Sequence, residues 1–586
     1  RQVIVSNQID FFEDFEATDG SDIPSVAVSF GNEWDIYCTA MAEVSASIKR
    51  SVEQLRGTEA LAALVSVVDP TFMSGRAADR DQAWMDLGLY WEHNWSVAGV
   101  FDKFGAGRIA WQRRLASEVA AYVDGLHQDA VQAVGNLIRL EGSTPRFFVF
   151  NSLSWSRTGY ADLPYEDTQP LHVVDLTTGE ETPSQIVQID GTQYLRVLAA
   201  NVPPVGYKVF EIRAGAGNTF PDAAQLNDNV IETDRYKITV AEQGAIISLI
   251  DKTRDGREFA KEIGGRTIND LGTGSGTLQV ENAGPVSVTL LATATDPLSH
   301  MTRITLVRDV DAIFVRNEIT QNFGDTFTWN YSFDLATPNV WHEEVGAIIR
   351  AKLLPDGGHY APQNARYDWL TLNHFVDIGE VDGLGVTLSN ADCYFMKLGN
   401  STPDQLDTQT PQIAVMIGSR GEGGSGPFGI PDQGGDSHFL QRFALQTRDT
   451  FDPVQAMRFA LDHQNPLVTG LLSGQGETYP ADTFSFVEIS DPNVLLWALK
   501  PADDNFAGNA PEGQVNTIVR LWNLGPDAAK ISLKLNGTTV ATAQETTHIE
   551  TPIGDAEVSD NAVSGTLNAG QLKTYSLQAS WNPDSA

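Results

Sequence analysis

Cysteine is scarce in this chain of 586 residues, which contains only Cys38 and Cys393. Two cysteines can form at most one disulfide bond, so a disulfide framework and a cysteine-rich metal site are both excluded. Long hydrophobic runs are absent as well, and without a run of about 18 apolar residues a conventional membrane span is excluded. At this length, the chain is expected to form several domains with sizeable cores.

Basic residues are also few, because 39 Lys and Arg stand against 76 Asp and Glu, giving a formal net charge of -37. The acidic residues are dispersed along the chain rather than gathered in one tail. Such a surface disfavours binding to nucleic acid and to anionic membranes. We interpret the acidity as a means of staying soluble, although a salty habitat or a cationic partner would also favour it.

The chain begins at Arg1, without an initiator methionine and without a signal-type apolar region. We therefore expect a processed N-terminus or a piece of a larger protein. Asn94, Asn330, Asn400 and Asn536 each begin a glycosylation acceptor pattern, but such short patterns recur by chance and leave the compartment open. A secreted or periplasmic location is favoured over a cytoplasmic one.

Three helical patterns occupy residues 36–143 and predict a three-helix bundle. Apolar residues of the first pattern recur in steps of three and four, at Met41, Val44, Ile48, Val52 and Leu55. The second helix is predicted from Asp81 to about Val97, with Trp84, Leu87, Trp91 and Trp95 on its apolar stripe and Asp86, Tyr90 and His93 on another. The third pattern contains Ile109, Leu115, Val119, Tyr122, Leu126, Val134 and Leu137.

After Gly142 short β-type runs with Gly, Pro and Asn or Asp between them replace the helical period, which is typical of large antiparallel sandwiches. Residues 236–240 and 245–250 predict a hairpin, and residues 302–320 predict two long strands. Asn536-Gly537 is the strongest short hairpin signal in the chain. Residues 418–435 predict a Gly-rich loop, and no repeat of 20 to 50 residues indicates a propeller or solenoid.

The N-terminal 35 residues have the pattern of the end of a domain. A strand-like run at residues 3–5 is followed by the mostly apolar segment Ile-Asp-Phe-Phe at residues 9–12, and Pro24 and Gly31 mark loops.

Residues 89–95, Leu-Tyr-Trp-Glu-His-Asn-Trp, combine a histidine with three aromatic rings, a carboxylate and an amide. This mixture is typical of a sugar or metal site, because rings stack on sugar faces, amides and carboxylates pair with hydroxyls, and a neutral imidazole binds zinc. The alternative is that His93 is a core histidine between packed tryptophans.

Six segments in order resemble landmarks of one family, the retaining α-mannosidases of glycoside hydrolase family 38. They are residues 148–155 (Phe-Val-Phe-Asn-Ser-Leu-Ser-Trp), 202–207 (Val-Pro-Pro-Val-Gly-Tyr), 244–252 (Gly-Ala-Ile-Ile-Ser-Leu-Ile-Asp-Lys), 385–390 (Gly-Val-Thr-Leu-Ser-Asn), 465–467 (Asn-Pro-Leu) and 519–523 (Val-Arg-Leu-Trp-Asn). The likeness is to the C-terminal two-thirds of these enzymes and covers nearly the whole chain.

This resemblance implies a multidomain α+β chain. It would comprise the end of an α/β catalytic barrel (residues 1–35), a three-helix bundle (36–143), a small β domain (144–214), a large galactose-mutarotase-like β-supersandwich (215–490) and a C-terminal β domain (491–586). In the family, one zinc ion is held by a His and an Asp near the start of the barrel, by the nucleophilic Asp, and by a His on the bundle. The first three would lie upstream of this chain.

The resemblance also implies roles for four residues. His93 matches the bundle zinc ligand, since residues 89–94 fall where many members carry Leu-Phe-Gln-His-His-Asp. Asn94 replaces the aspartate that contacts sugar hydroxyls, and it can still bond hydroxyls or instead cap or solvate the helix. Trp34 matches an aromatic residue that packs on the sugar, or it packs barrel against bundle. His374 lies in a stretch resembling one that reaches the active site, although an ordinary β surface is favoured there.

The function implied is zinc-assisted hydrolysis of α-mannosides or related glycans with retention. The catalytic carboxylates are expected upstream, so the glycan and an N-terminal barrel fragment are the expected partners. No catalytic role is assigned to Asp10, Asp14 or Asp35, because solvated loop carboxylates are the commoner explanation. A non-catalytic carbohydrate-binding or structural subunit is the main alternative, and a polysaccharide lyase is a weaker one.

Overall fold

The computed structural model describes residues 7–32, 35–92, 102–381, 383–420, 422–423, 426–427, 429–474, 476–503 and 515–583. Its α-helices are α1 (Gln8–Asp19), α2 (Ala42–Ser66), α3 (Ala77–Tyr90), α4 (Asp102–Leu137) and α5 (Pro453–Gln464). Short 3-10 helices cover Gly20–Asp22, Asp35–Met41, Leu354–Asp356 and Pro431–Gly435. Within the part of the chain that the structure describes, none of the helices combines the length and apolarity needed to cross a membrane.

Helices α2, α3 and α4 confirm the three helical patterns of residues 36–143, but α3 covers Ala77–Tyr90 and so ends before the predicted end near Val97. The buried face of α3 differs from the predicted one, because Asp86 and Tyr90 are buried whereas Trp84 and Trp91 are exposed. Burial of these polar groups is supported by hydrogen bonds, since Gln82 donates to Asp86 Oδ1 (2.8 Å) and the Tyr90 hydroxyl lies 2.9 Å from Ser45 Oγ. Of the predicted apolar stripe, Leu87 packs against the core, Trp84 and Trp91 are exposed, and Trp95 lies outside the described residues.

Helix α1 contains the mostly apolar segment 9–12, and the strand-like residues 3–5 lie outside the described residues. Asn7 caps the helix, because its Oδ1 accepts a hydrogen bond from the Asp10 amide at 2.9 Å. No residue of α1 is buried, and one face exposes Ile9, Phe11, Phe12 and Phe15. The apolar face of α1 therefore has no packing partner among the described residues.

A first β region follows the bundle. It contains β1 (Arg146–Asn151), β2 (Arg157–Pro164), β3 (Leu171–Asp175), β4 (Glu180–Thr182), β5 (Ser184–Ile189), β6 (Thr192–Val202) and β7 (Gly206–Ala214). Two later strands join it, β29 (Val468–Leu471) and β30 (Thr483–Ser485). One sheet has the order β29-β1-β7-β3-β4, with β30 also on β7, and the other has the order β2-β6-β5. Every pair is antiparallel.

A central sandwich of two large sheets follows. Its strands are β8 (Gln225–Asn227), β9 (Val230–Glu232), β10 (Tyr236–Val240), β11 (Ile246–Asp251), β12 (Arg257–Glu258), β13 (Ile268–Asp270), β14 (Gly276–Ala283), β15 (Ser287–Ala294), β16 (His300–Val307), β17 (Ile313–Ile319), β18 (Phe327–Ser332), β19 (Pro338–Glu344), β20 (Ala347–Arg350), β21 (Leu370–Thr371), β22 (Phe375–Glu380), β23 (Gly385–Asn390), β24 (Phe395–Leu398), β25 (Gln412–Gly418), β26 (Glu422–Gly423), β27 (Gly426–Pro427) and β28 (Phe439–Arg448). The two-residue strands β26 and β27 pair with each other inside the predicted Gly-rich loop.

The ten-stranded sheet runs β21-β24-β25-β18-β13-β11-β10-β9-β8, with β12 on β11. The nine-stranded sheet runs β14-β15-β16-β17-β28-β23-β22-β19-β20, and the facing sides of the two sheets form the largest core. The hairpin β10–β11 and the paired strands β16 and β17 confirm two predictions from the sequence.

Helix α5 interrupts the β region and is absent from the sequence prediction. Asp452 caps it by accepting hydrogen bonds from the amides of Val454 (2.8 Å) and Gln455 (3.2 Å), and Pro453 occupies its first turn. Asp-Pro before apolar residues at helical spacing is a readable start signal. The expectation of an almost entirely β region is therefore incomplete.

The C-terminal sandwich contains β31 (Val487–Ile489), β32 (Val494–Pro501), β33 (Val515–Asn523), β34 (Ala529–Leu535), β35 (Thr538–Thr546), β36 (Pro552–Ser559), β37 (Ala562–Leu567) and β38 (Leu572–Trp581). Their order is β31-β34-β37-β36-β35-β38-β33-β32. The multidomain α+β class with antiparallel sandwiches is thus confirmed.

The hairpin predicted at Asn536-Gly537 is wrong. These residues join β34 to β35, but β34 pairs with β31 and β37, and β35 pairs with β36 and β38. The turn is held by a neighbouring segment, since the Asn536 amide donates to Phe486 O (2.8 Å) and Asn536 Nδ2 donates to Ser485 O (3.0 Å). The two strands instead meet through apolar side chains in a shared core.

We expect Gly537→Ala to lower the free energy of unfolding by about 2 kcal/mol more than Gly570→Ala does. Both glycines have φ near +70°, so both substitutions introduce similar backbone strain. A Cβ at Gly537 would lie 2.5 Å from the Trp581 ring, whereas none of the described atoms lies within 4 Å of one at Gly570. Urea unfolding of the two variants measures the difference, and equal effects would contradict a tight contact at this turn.

Candidate functional site

A cavity of about 430 Å³ lies where the bundle meets the central sandwich, and we call it the junction cavity. Four parts of the chain line it: the segment before α2, the end of α3, the turn between β19 and β20, and the loops around β21 and β24. The lining residues are Asn32, Asp35, Tyr37, Cys38, Trp91, Glu92, Val345, Thr371, Asn373, Tyr394 and Phe395.

Three of the predicted site residues, Trp34, His93 and Asn94, lie outside the described residues. Their neighbours in sequence line the junction cavity, because Asn32 and Asp35 flank Trp34 and Glu92 precedes His93. The roles assigned to the three residues stay predictions. The structure nevertheless brings the residues around Trp34 and the residues just before His93 to one cavity, although the two segments are about 60 residues apart in sequence.

Trp91 supplies an aromatic surface at the junction cavity. Its ring is 42% exposed, and it packs edge-on against Tyr90 (centroids 5.1 Å apart) and Tyr394 (5.3 Å). Tyr394 is itself fixed, because its hydroxyl donates to Ser45 O at 2.8 Å. An aromatic ring that is half exposed and held from behind can stack on the apolar face of a ring-shaped polar ligand.

Amide side chains supply hydrogen-bonding groups beside Trp91. Asn32 Nδ2 donates to Thr371 Oγ1 at 3.0 Å, which ties the segment before α2 to β21. Asn373, two residues after Thr371, also lines the cavity, and an amide both donates and accepts. Asp35 is exposed at the cavity, whereas burial raises the pKa of the Cys38 thiol above its usual range, so Cys38 stays a neutral thiol.

A buried lysine holds the loops that line the junction cavity. Lys49 on α2 donates from Nζ to the carbonyls of Asn373, Asn390 (3.3 Å) and Cys393 (2.9 Å). Its ammonium group also lies 5.3 Å from the centre of the Tyr394 ring. Burial lowers the pKa of Lys49 to about 8. This side chain thus positions the residues of the cavity wall without lining the cavity itself.

His374 lies directly behind the wall, one residue after Asn373, and it is buried. Its Nε2 lies 3.0 Å from Glu53 Oε1 on α2, and its Nδ1 lies 2.9 Å from Glu343 Oε2 on β19. Burial alone would lower the pKa of His374, but the two carboxylates outweigh it and raise the pKa to about 9. The imidazolium therefore joins the bundle to the central sandwich, and its predicted contact with substrate stays a prediction.

The described residues do not form a metal site by themselves. Among them, no group of three or more His, Cys, Asp and Glu side chains is placed to hold a metal ion. Asp35, Cys38 and Glu92 line the junction cavity without such an arrangement. A zinc site at this position would need His93 together with ligands from outside the described residues.

The sequence predicts this region of the chain as a site but does not predict most of the described residues that line it. Residues 89–95 were singled out for their mixed aromatic and polar character, and Trp91 and Glu92 do line the cavity. Asn32 and Asn373 lie close in sequence to the predicted site residues Trp34 and His374, but neither they nor Tyr394 belong to a motif that assigns them a role, because their loops meet only in the tertiary structure. An Asn-His pair after the short strand β21 was the single available signal for Asn373.

Comparison of the chain with protein-family models and with curated proteins found no match. Solved structures do match. A crystal structure of an α-mannosidase from Enterococcus faecalis V583 has a TM-score of 0.74 at 14% identity, covering 98% of this chain and 72% of that chain. A protein in glycosyl hydrolase family 38 from Enterococcus faecalis has a TM-score of 0.71 at 15% identity, covering 98% of this chain and 74% of that chain. The fold is thus similar to that of the family 38 scaffold across nearly the whole chain.

Proposed function

We propose that this chain is part of a glycoside hydrolase that acts on α-mannosides or related glycans with retention of configuration. The junction cavity is the observation that supports this proposal, because it combines an exposed tryptophan with amide and carboxylate side chains on a family 38-like scaffold. Aromatic stacking with a few convergent polar groups is how proteins recognise sugars. Because one fold can serve many functions, the side chains of the junction cavity, and not the fold alone, support this chemistry.

In this proposal, the side chains of the chain bind and orient the sugar. Trp91 stacks on one face of the ring, and Asn32 and Asn373 hydrogen-bond to its hydroxyls. Lys49 and Tyr394 keep the wall in place, so less conformational entropy is lost on binding. Retaining hydrolysis needs two carboxyl groups, one as nucleophile and one as acid, and we expect both from polypeptide outside these residues.

In the same proposal, His93 is a ligand of a zinc ion. A single neutral imidazole would supply one ligand, and the remaining ligands would come from the barrel fragment. The ion would orient the substrate and polarise its hydroxyls. Asn94 and Trp34 remain proposed sugar contacts beside it.

A partner polypeptide is proposed for a second reason. The apolar face of α1, formed by Ile9, Phe11, Phe12 and Phe15, is exposed. Burial of such side chains is worth about 1.5–3 kcal/mol each, so a barrel fragment packed on this face would gain considerable stability. A polypeptide that copurifies with the chain and covers α1 is the expected finding.

The proposal is tested with the protein isolated together with all of its polypeptide. We expect Trp91→Ala to lower kcat/KM for an aryl α-mannoside by about tenfold, mainly through KM, because stacking is lost. Trp84→Ala is the matched control, since Trp84 lies on α3, which ends one residue before Trp91, and is 52% exposed but does not line the cavity. NMR of the first product should show the α-anomer. No turnover of any α-mannoside or related glycan by the wild type would refute the function.

The zinc content of the isolated protein tests the proposed role of His93. His93→Ala should reduce the zinc content of the isolated protein to background, whereas His438→Ala, at a 61% exposed side chain, should leave it unchanged. Equal zinc content in both variants would remove His93 from the proposed site.

A non-catalytic carbohydrate-binding subunit is the second candidate function. The same aromatic and amide lining favours it, because that lining accounts for binding without a nucleophile. For a binding subunit, the wild type would bind a mannoside and Trp91→Ala would bind it more weakly. The intact protein would show neither turnover nor zinc, which distinguishes this function from the hydrolase.

A further inference from the structure

The outward face of the nine-stranded sheet carries a second cavity system, whose lining residues differ from those of the junction cavity. Alternate residues of β17 point to opposite sides, so Ile313 and Val315 enter the core while Phe314 and Arg316 lie on the outer side. Strand β2 and helix α5 lie over this outer side. Two openings of about 440 and about 320 Å³ result, and we call them together the outer cleft.

The two openings are continuous at an aromatic pair. Both are lined by Tyr160 of β2 and Phe314 of β17, whose ring centroids lie 6.1 Å apart with the planes at 90°. Trp155 lines the larger opening, and its Nε1 donates to Asp462 Oδ1 of α5 at 3.1 Å. The Arg196 guanidinium lies 4.3 Å from the centre of the Tyr160 ring, which fixes that ring in place. The outer cleft thus has rigid aromatic walls from three separate elements.

Polar groups without protein partners line the same opening. Among the described residues, the Tyr160 hydroxyl has no hydrogen-bond partner, and Asp462 uses only its Oδ1 and not its Oδ2. Gln446 donates from Nε2 to Asp311 O at 3.0 Å, while its Oε1 accepts no bond. The Nε of Arg157, whose side chain is about nine-tenths buried, is also without an acceptor. These groups include both donors and acceptors, as a polyhydroxylated ligand requires.

The charges of the outer cleft are balanced. Arg157 pairs with Asp462 at 3.4 Å, Arg196 pairs with Asp162 at 2.8 Å, and Arg316 pairs with Asp190 at 2.9 Å. Burial lowers the pKa of Arg157 and raises that of Asp462, which disfavours any further net charge there. A neutral ligand fits this environment better than an anion or a cation.

We propose that the outer cleft is an accessory site for a neutral pyranose residue of a glycan. Tyr160 and Phe314 provide the stacking surface, and the Tyr160 hydroxyl, Asp462 and Gln446 bond the sugar hydroxyls. The outer cleft shares none of its lining residues with the junction cavity. Such a site would hold a second part of a branched or extended glycan, which raises its effective concentration at the junction cavity.

The test is a ligand-observed NMR titration of the intact protein with methyl α-D-mannopyranoside, methyl β-D-glucopyranoside and methyl α-D-galactopyranoside. At least one of them should bind in Trp91→Ala, because the junction cavity is not required. Tyr160→Ala should weaken this binding at least tenfold, and Tyr160→Phe should weaken it about threefold through loss of one hydrogen bond. Tyr165→Phe is the matched control in the same β region and should bind as wild type does.

Three results would each overturn the accessory site. The first is that none of the three glycosides binds to Trp91→Ala, and the second is that wild type and both Tyr160 variants bind with equal affinity. The third is that Tyr165→Phe weakens binding as much as Tyr160→Phe does. If Tyr160→Ala does not fold, Tyr160→Phe decides the matter, since the hydroxyl has no partner within the described chain. The proposed hydrolase activity can be absent while this binding persists. Turnover is tested with Trp91→Ala, whereas binding to the outer cleft is tested with the Tyr160 variants.

Discussion

Asp392→Ala is expected to lower the free energy of unfolding by about 3–5 kcal/mol. The Asp392 side chain is completely buried and accepts hydrogen bonds from Arg50 on α2 (3.0 Å) and from Arg442 on β28 (2.9 Å for Nε and for Nη2). Burial alone would raise its pKa, but the two guanidiniums outweigh this effect and hold the pKa below its usual range. Removal of the carboxylate leaves two partly buried cations without their shared partner.

The measurement is the urea midpoint of the variant relative to wild type, converted with the slope of the same transition. Asp81→Ala is the matched control, because Asp81 pairs with Arg80 at 2.7 Å but is 68% exposed, and such surface pairs contribute about 0–1 kcal/mol. If the urea midpoint of Asp392→Ala differs from that of wild type by no more than the midpoint of Asp81→Ala does, this ion network does not stabilise the contact between bundle and sandwich.

The second large effect is a loss of stability as the pH rises, carried by His374. The pKa of His374 is raised from 6.5 to about 9 in the folded protein, so its contribution is fully present below pH 6.5 and is lost as the pH rises through about 9. A shift of this size corresponds to a stabilisation on the order of 3 kcal/mol at low pH, of which about half is lost by about pH 8.

Lys49 acts in the opposite direction but in a higher range. Its pKa is lowered from 10.5 to about 8, so deprotonation of Lys49 adds stability as the pH rises from about 8 to 10.5. Between about pH 6 and pH 8 the titration of Lys49 adds little stability, so the difference between wild type and a His374 variant reports mainly on His374. Glu59, whose pKa burial raises to about 7, titrates in that window, but it does so in wild type and variant alike.

The experiment compares urea unfolding of wild type and His374→Gln across this window. The wild type should lose stability relative to the variant as the pH rises, because glutamine cannot lose a proton. His438→Gln is the control, since that histidine is mostly exposed and should leave the wild-type pH profile unchanged. Parallel profiles for wild type and His374→Gln would mean that His374 is not charged between Glu53 and Glu343.

Local sequence patterns predicted the secondary structure well where one side of an element is buried. The periodic apolar residues of α2 and α4 and the alternating residues of β10 and β11 follow directly from helix and strand geometry. On α3 the apolar periodicity predicts a face that includes the exposed Trp84 and Trp91. Asp86 and Tyr90 are buried there because Gln82 and Ser45 supply hydrogen bonds, and such partners are invisible in a local pattern.

The turn at Asn536-Gly537 shows a second limit of local patterns. Asn-Gly predicts a change of chain direction, and that change is present. Whether the two strands then pair or pack face to face depends on competing partners, and here β37 and β38 take the pairing edges. Backbone hydrogen bonds between distant strands decided the outcome.

By itself, the sequence determined the acidic character, the order of helical and β regions, and the likeness to family 38 scaffolds. It also directed attention to residues 89–95, of which Trp91 and Glu92 line the junction cavity. Only the tertiary structure decided that Asn32, Asn373 and Tyr394 join them, that His374 is charged between two carboxylates, and that Tyr160 meets Phe314 in the outer cleft. The physical reason is that local periodicity reports which side of an element is apolar, whereas a site depends on contacts between residues far apart in the chain.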